Sequence, residues 1–280
     1  MTDTDSRRID SFACAGPVDI QAHLNGGELL VELVDTDVVA VVVSAVTDPD
    51  RRLRDLLGRS VNPDAEAAAD AVRKTKTHFT RGHLVVQAPS GRLKSVPMRV
   101  VVRAPRRSKL HLTGGSARFT VTGQAASLLA TWDTGDLTVT DSVEGATKVR
   151  VGNGRVQLGT LLGAADLKIG TATLQVGRFA AKATVTTGSG TVEFGTVEAD
   201  VALTTGAGTI TVADAAAGAL TIKTGPGSIR IGVRPGVAAR ADLSSRGGTA
   251  RNELPQPSGR VALTIDAAST SGDIVVAPAA

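Results

Sequence analysis

Arg99, Arg103, Arg106, Arg107 and Lys109 belong to the densest group of chemically capable side chains in the sequence: residues 92–109 carry seven cations and no acid. Strand alternation would set Arg99, Val101 and Arg103 on one face and Met98, Val100 and Val102 on the other. Such a stripe is a candidate site for an anion or a partner, and a phosphate backbone would bind it in a salt-dependent way. No aromatic residue is interleaved with the cations, and Lys and Arg on a strand also blunt a sheet edge. The favoured reading is therefore a solvated strand face, and nucleic acid is disfavoured as a partner.

The remaining reactive side chains are scattered. His23, His78, His83 and His111 all fall before Thr113. His78 and His83 could approach across a bend at Arg81-Gly82, yet no Cys or carboxylate stands at ligand spacing beside them. No metal site is read there. Of the acids in the second half, Asp133, Asp136 and Asp141 cluster near Trp132. A carbohydrate-active β-helix enzyme would need carboxylates converging in a groove, and these three are its only candidates; a polar rim explains them as well. No acid recurs at a fixed position, which removes the calcium-binding nonapeptide pattern. Each Gly-x-Gly leads into a strand instead of a helix, which removes a dinucleotide loop. Neither a catalytic residue nor a cofactor is implied.

The elements that would position these side chains follow from a repeat. Gly-x-Gly-x-apolar-x-apolar-Gly occurs at Gly152 to Gly159, Gly188 to Gly195 and Gly225 to Gly232, with weaker copies starting at Gly170 and Gly206. The leading glycines Gly152, Gly170, Gly188, Gly206 and Gly225 recur at intervals of about 18 residues, and so short a period marks a solenoid. Inside each copy the apolar residues alternate, as in Val156/Leu158, Val192/Phe194 and Ile229/Ile231, which is strand periodicity. A second apolar row, Val149, Leu167, Val185, Leu203 and Ile222, stands just before the leading glycines. Two short strands joined at a glycine corner make one coil, and stacking sets Val156, Leu174, Val192, Ile210 and Ile229 in one interior file. A lone coil cannot bury enough to offset its ordering entropy, so the array should fold as a stack with protected ends. Right-handed coiling is expected from the usual crossover preference.

The chain before Thr113 reads differently. Pro17 to His23, Leu29 to Val34 and Val38 to Val46 are expected strands, the first two joined as a hairpin by Asn25-Gly26-Gly27. Asn62-Pro63 opens one helix, to about residue 76, with Asp64 and Glu66 near its start and Arg73, Lys74 and Lys76 near its end. Its alanine-rich side could cover an open first coil or pack on the hairpins. Thr77 to Pro89, Ser95 to Arg103 and Leu110 to Thr113 are further strands. Beyond Ile231 the repeat drifts, Pro255 and Pro257 interrupt it, and Ser271-Gly272-Asp273-Ile274-Val275-Val276 restores a closing copy that reads as a cap. The expected organisation is a β-rich N-terminal region over residues 1–112, β-solenoid repeats over 113–251, and a C-terminal coil and cap over 252–280. The fold class is all-β, a parallel β-solenoid of about 18 residues per coil.

Composition narrows function by exclusion. Residues 1–112 hold 17 basic and 14 acidic side chains and the remainder 14 and 13, so the net charge of +4 is a small surplus and not a polycation. Aromatics are 2% of the chain with no tyrosine, which weakens a case for stacking on bases or sugars. Cys14 is the only cysteine, so no intrachain disulfide forms. The segment Met1 to Asp10 lacks the apolar region of a signal peptide, and the most apolar run, Val38 to Val46, is too short to span a bilayer. A cytoplasmic location is expected, with export by another route left open.

The glycine-spaced array, the strand-rich region with an inserted helix, and the closing Ser-Gly-Asp-Ile strand together resemble the bacterial β-strand-repeat "putative adhesin" family, a domain of unknown function. The resemblance runs from about Asp10 to Val276. It implies a parallel β-solenoid with an interaction role and brings no catalytic residues. The expected function is a non-enzymatic structural or adhesin-like scaffold that binds a protein partner or itself through exposed coil ends. The alternatives are the β-helix enzyme and, behind it, the salt-dependent nucleic-acid binder.

Overall fold

Alternating burial and a regular backbone register carry this structure, a computed structural model that describes residues 7–45, 65–89, 96, 98–256 and 259–279. Among the described residues the chain is all-β apart from one helix, with eighteen strands in a mostly parallel sheet that does not close on itself. It divides into two units, one of Met1–Ala125 with Thr131–Gly135, the other of Ala126–Ala130 with Asp136–Ala280. No helix among the described residues is long and apolar enough to cross a membrane.

In the first unit the strands are β1 (Arg7–Ala13), β2 (Asp19–Val34), β3 (Val38–Ala45), β4 (Lys76–Thr80), β5 (His83–Gln87), β6 (Met98–Pro105) and β7 (Lys109–Thr122). The hairpin expected at Asn25-Gly26-Gly27 does not form. β2 runs through those residues as one bent strand, parallel to β7 on one side and to β5 and then β6 on the other. Gly27 explains the difference: its φ is +99°, and a Cβ there would lie 2.0 Å from the Met98 carbonyl oxygen. The glycine lets the chain turn a corner over a neighbouring backbone rather than reverse. Both halves of β2 bury alternate side chains, Ile20, Ala22 and Leu24, then Leu29, Val31 and Leu33. The stretch expected as one strand from Thr77 to Pro89 is two, because Arg81-Gly82 turns β4 back antiparallel to β5.

The helix α1 covers Ala65–Lys74; the expected cap Asn62, Pro63 and Asp64 lie outside the described residues, as does the side chain of Glu66. It ends where Thr75 turns its hydroxyl back to the Ala71 carbonyl at 2.9 Å. Ala69, Ala71 and Val72 are buried, and the helix packs on β3 and β1. These two form an antiparallel layer beside β6. Arg8 on β1 ties the layer together, donating to the Thr75 carbonyl at 2.6 Å and pairing with Asp10 at 2.8 Å.

The second unit holds most of β8 (Ser127–Val143) and then β9 (Thr147–Leu161), β10 (Ala165–Phe179), β11 (Ala183–Val197) and β12 (Val201–Ala215). From β9 to β12 each is two half-strands about a corner, parallel to its neighbour and displaced from it by one repeat, so Val156, Leu174, Val192 and Ile210 share one file. All four are 1% exposed or less. β13 (Gly218–Pro226) and β14 (Ile229–Val233) continue the two halves on β12 with Ile229 next in the file.

The remaining strands, β15 (Ala239–Ser245), β16 (Ala250–Asn252), β17 (Leu263–Ser271) and β18 (Ile274–Pro278), do not stack in chain order. β17 lies between β13 and β15, and β18 lies between β14 and β16. The closing copy at Ser271 to Val276 is therefore internal, and the outer position belongs to residues 239–252. The expectation that the last repeat in sequence is the cap is corrected by this order. The physical reason is in the side chains: Ile265, Ala267, Ile274 and Val276 are fully apolar and at most 1% exposed, whereas Ala250, Arg251 and Asn252 could not bury both faces of a coil.

Candidate functional site

The most regular outward feature of the second unit is a polar file built by the repeat register. Gln157, Gln175, Glu193 and Thr211 occupy one row, each between two buried apolar residues of its half-strand. Thr138 precedes them: its hydroxyl donates to Gln157 Oε1 at 3.5 Å, Gln157 Nε2 to Gln175 Oε1 at 2.7 Å, and Gln175 Nε2 to Glu193 Oε2 at 2.7 Å. An ionised Glu193 can only accept, so Gln175 must turn its NH2 toward it and its carbonyl toward Gln157. One carboxylate thus orients two amides across three coils, and the ladder is polarised along the stack.

Two residues further along each coil the outward position is Gly159, Gly177, Gly195 or Ala213, which leaves a shallow groove of about 530 Å3 beside the ladder. Further along, outside the residues that line the groove, charges cross the corner. Arg178 donates to Glu198 Oε2 through Nε at 3.0 Å and Nη2 at 2.6 Å, and Arg234 grips Asp214 through Nε and Nη2 and reaches Glu198 Oε1 at 3.4 Å. The Arg178 guanidinium holds the Glu198 carboxyl below the usual carboxylate range, and the Asp214 carboxylate raises Arg234 above its ordinary value. Successive coils stand about 4.8 Å apart. The groove therefore offers a hydroxyl, an amide or a carboxylate at each step of an extended polymer laid along the stack.

The basic stripe is placed on β6 and at its end. Arg99 and Arg103 stand in register with Glu28 and Glu32 of β2, and Arg99 Nε lies 3.6 Å from Glu28. Arg106 lies 3.5 Å from Asp35, Arg107 takes a positive φ of 60° in the turn, and Lys109 stands in register with Asp19. Arg92 and Lys94 lie outside the described residues. The sequence showed the cations together; it did not show that the acids of β2, far earlier in the chain, would be threaded alongside them.

Three of the four histidines are held by separate partners. His23 Nδ1 meets Thr113 Oγ1 at 3.0 Å, His78 Nε2 meets Thr80 Oγ1 at 2.7 Å, and His83 Nδ1 lies 3.7 Å from Asp19. No group of three or more His, Cys, Asp or Glu among the described residues could hold a metal ion. Asp136 accepts the backbone N–H of Arg155 at 3.1 Å and Asp141 the hydroxyl of Thr140 at 2.8 Å, so both serve the coil corners. The extended strand from Asp136 to Asp141 spans about 16 Å, which is too far for a carboxylate pair to flank one glycosidic bond. Asp133 is exposed on β8.

The polar ladder was visible in the sequence only as unequal outward pairs, Arg155/Gln157, Thr173/Gln175 and Thr191/Glu193. Hydrogen-bond complementarity between unlike neighbours at the repeat spacing is the signal that would have found it. The charge cluster of Arg178, Glu198, Asp214 and Arg234 carries no such signal, because its closest pairs, Arg178 with Glu198 and Arg234 with Asp214, are out of step with the repeat.

No family model matches this sequence, and no curated protein matches it. Solved structures similar to it include a "putative adhesin" from Parabacteroides merdae, 11% identical with a TM-score of 0.36, covering 98% of this chain and 97% of that one. A "putative lipid binding protein" from Parabacteroides distasonis is 10% identical with a TM-score of 0.35, over 98% and 97% of the two chains. A "putative adhesin" from Bacteroides fragilis is 11% identical with a TM-score of 0.33, over 99% of each.

Proposed function

We propose that this protein is a non-enzymatic, right-handed β-solenoid that acts as an adhesin-like interaction scaffold, holding an extended partner in the groove beside the Gln157–Gln175–Glu193 ladder. One observation carries the reading: a carboxylate at Glu193 fixes the orientation of two amides in successive coils, at 2.7 Å each. Side chains held that way present a set pattern of donors and acceptors at the coil spacing, which lowers the ordering cost of binding a periodic ligand. Of the three acids that could have served hydrolysis, Asp136 is engaged by the backbone of the next coil and Asp141 by the Thr140 hydroxyl. A shallow floor along Gly159, Gly177, Gly195 and Ala213 suits a chain that lies along the surface better than a small molecule that must be enclosed.

The test compares wild type with a Gln175→Lys, Glu193→Lys variant on a panel of immobilised linear glycans and unstructured peptides, with melting curves for both. Binding that is lost in a variant of unchanged melting temperature supports the reading. Binding that survives in the variant, wild type that binds no member of the panel, or release of new reducing ends or unsaturated products from a glycan overturns it.

A further inference from the structure

We propose that the outer strand β15 is a self-complementary edge through which two copies of this chain form a two-fold dimer, antiparallel and centred on Ala241. This names the partner in the interaction reading above and rests on the stacked coils, not on the ladder groove. β15 is paired on one side, with β17. The hydrogen bonds at its two ends show which residues face inward along that ladder: the Ala238 carbonyl accepts from Ala262 at 2.9 Å, and the Arg246 N–H donates to Ser269 at 3.3 Å. Even-numbered residues therefore point their backbone groups at β17. Ala239, Ala241, Leu243 and Ser245 point theirs at the outer edge, where no strand pairs with them among the described residues, a row of the kind that recruits another strand.

A two-fold axis through Ala241 pairs each residue with the one equidistant on the other side. Ala241 meets its own copy and Ala239 meets Leu243, all outward-bonding residues, so these are the hydrogen-bonded pairs of an antiparallel ladder. Arg240 then meets Asp242 in the closer, non-hydrogen-bonded pairs, twice by symmetry, and both side chains are exposed in the single chain. Moving the axis to Leu243 would set Arg240 against Arg246, and moving it to Asp242 would set that carboxylate against itself. Of these three registers, the Ala241 one alone satisfies hydrogen bonding and charge together, and it alone adds two opposite-charge pairs.

Two further observations agree. Asp242 stands in register beside Asp266 of β17, a like-charged neighbour pair that a second copy's Arg240 would relieve. The interior file also ends unfinished here: Ala241 and Leu243 are half-buried, whereas Ile265 and Ala267 beneath them are 1% and 0% exposed. The dyad leaves β16 without a strand opposite, and β16 is the half whose file closes on Asn252, where Val276 stands one coil below.

Sedimentation of the full chain over a wide concentration range tests this. Wild type should be a reversible dimer. Asp242→Arg and Arg240→Asp should each weaken it roughly tenfold or more, since two attractive cross-strand pairs become repulsive, and the double exchange R240D/D242R should restore it. Ala241→Pro should give a folded monomer, because the N–H it removes faces outward and not toward β17. A wild type that stays monomeric, a dimer indifferent to Ala241→Pro, or a double exchange that fails to restore association overturns the proposal. A monomeric wild type that still binds through the ladder groove would sink the dimer alone and leave the scaffold reading standing.

Discussion

Thr249 gives both of its donors to Asp273: its backbone N–H lies 2.9 Å from Oδ1 and its hydroxyl 2.7 Å from the same oxygen. The carboxylate is the corner of one coil, and the threonine begins the outer half-strand stacked on it. These hydrogen bonds, the backbone one foremost, hold the Asp273 carboxyl below its ordinary range. A depressed folded-state pKa stabilises the fold above the unfolded value of about 4 and ceases to as pH falls through the folded value. Amide exchange at Thr249 to Asn252, taken relative to the unfolded chain at the same pH, should therefore be slow at pH 6 and quicken as pH falls below about 4, the usual Asp value, before the inner coils respond. Asp273→Ala should produce that quickening at pH 6. Protection at Thr249 to Asn252 that follows the inner coils at every pH would contradict it.

Gly208 and Ala172 hold equivalent corner positions under different demands. Gly208 has a φ of +136°, and a Cβ there would lie 1.9 Å from the Gly190 carbonyl oxygen, while Ala172 sits among the residues without positive φ. Gly208→Ala should cost about 2 kcal/mol or more, from backbone strain and displacement of the coil below. Ala172→Gly should cost under about 1 kcal/mol. Chemical denaturation of the two variants checks the contrast, and equal losses would refute it.

The interior file was legible because two independent signals coincide in it. Period-two alternation marks Val156, Val192 and Ile229 as inward, and the glycine pair repeats at the spacing that stacks them. What the sequence hid were relations that do not follow the period. Asn25-Gly26-Gly27 has the composition of a reversing turn, yet the backbone of Met98, from the much later strand β6, passes beneath it and makes it a corner. The ladder escaped notice for the opposite reason: it follows the period but changes residue type along the row.

Thr224 interrupts a file of satisfied hydroxyls. Val151, Ile169, Thr187, Thr205, Thr224 and Ser269 stand in one inward row. Thr205 donates to the Ala207 carbonyl at 3.1 Å and Ser269 to that of Gly227 at 2.9 Å, but Thr224 Oγ1 is buried with no partner among the described residues. Removing an unsatisfied hydroxyl while keeping its shape should stabilise, so Thr224→Val is expected to gain about 1 kcal/mol. Thr205→Val gives up a formed hydrogen bond and should lose a similar amount. Unfolding midpoints of the two variants that move in the same direction would count against the distinction.

Chain order and stack order disagree at the C-terminus, and a pair of deletions exposes the consequence. Removing residues 259–280 takes away β17 and β18, which are the partners of β15 and β16 and the cover over Leu220, Ile222, Ile229 and Ile231, all at most 1% exposed. Each such side chain returned to water costs ~1.5–3 kcal/mol, and residues 239–252 would have nothing to pair with. The truncated protein should lose protection through residues 218–252 and aggregate on the apolar ends of β13 and β14. Removing residues 165–182 excises one whole coil from the middle. It brings Val156 over Val192 and Gln157 beside Glu193 in the register already used, so a cooperative unfolding transition should persist. Circular dichroism and amide exchange on both deletions read the outcome. A truncation that melts like the full chain would mean that the last-made strands are ornaments on a finished stack, and an excised coil that abolishes folding would mean that the coils are not interchangeable units.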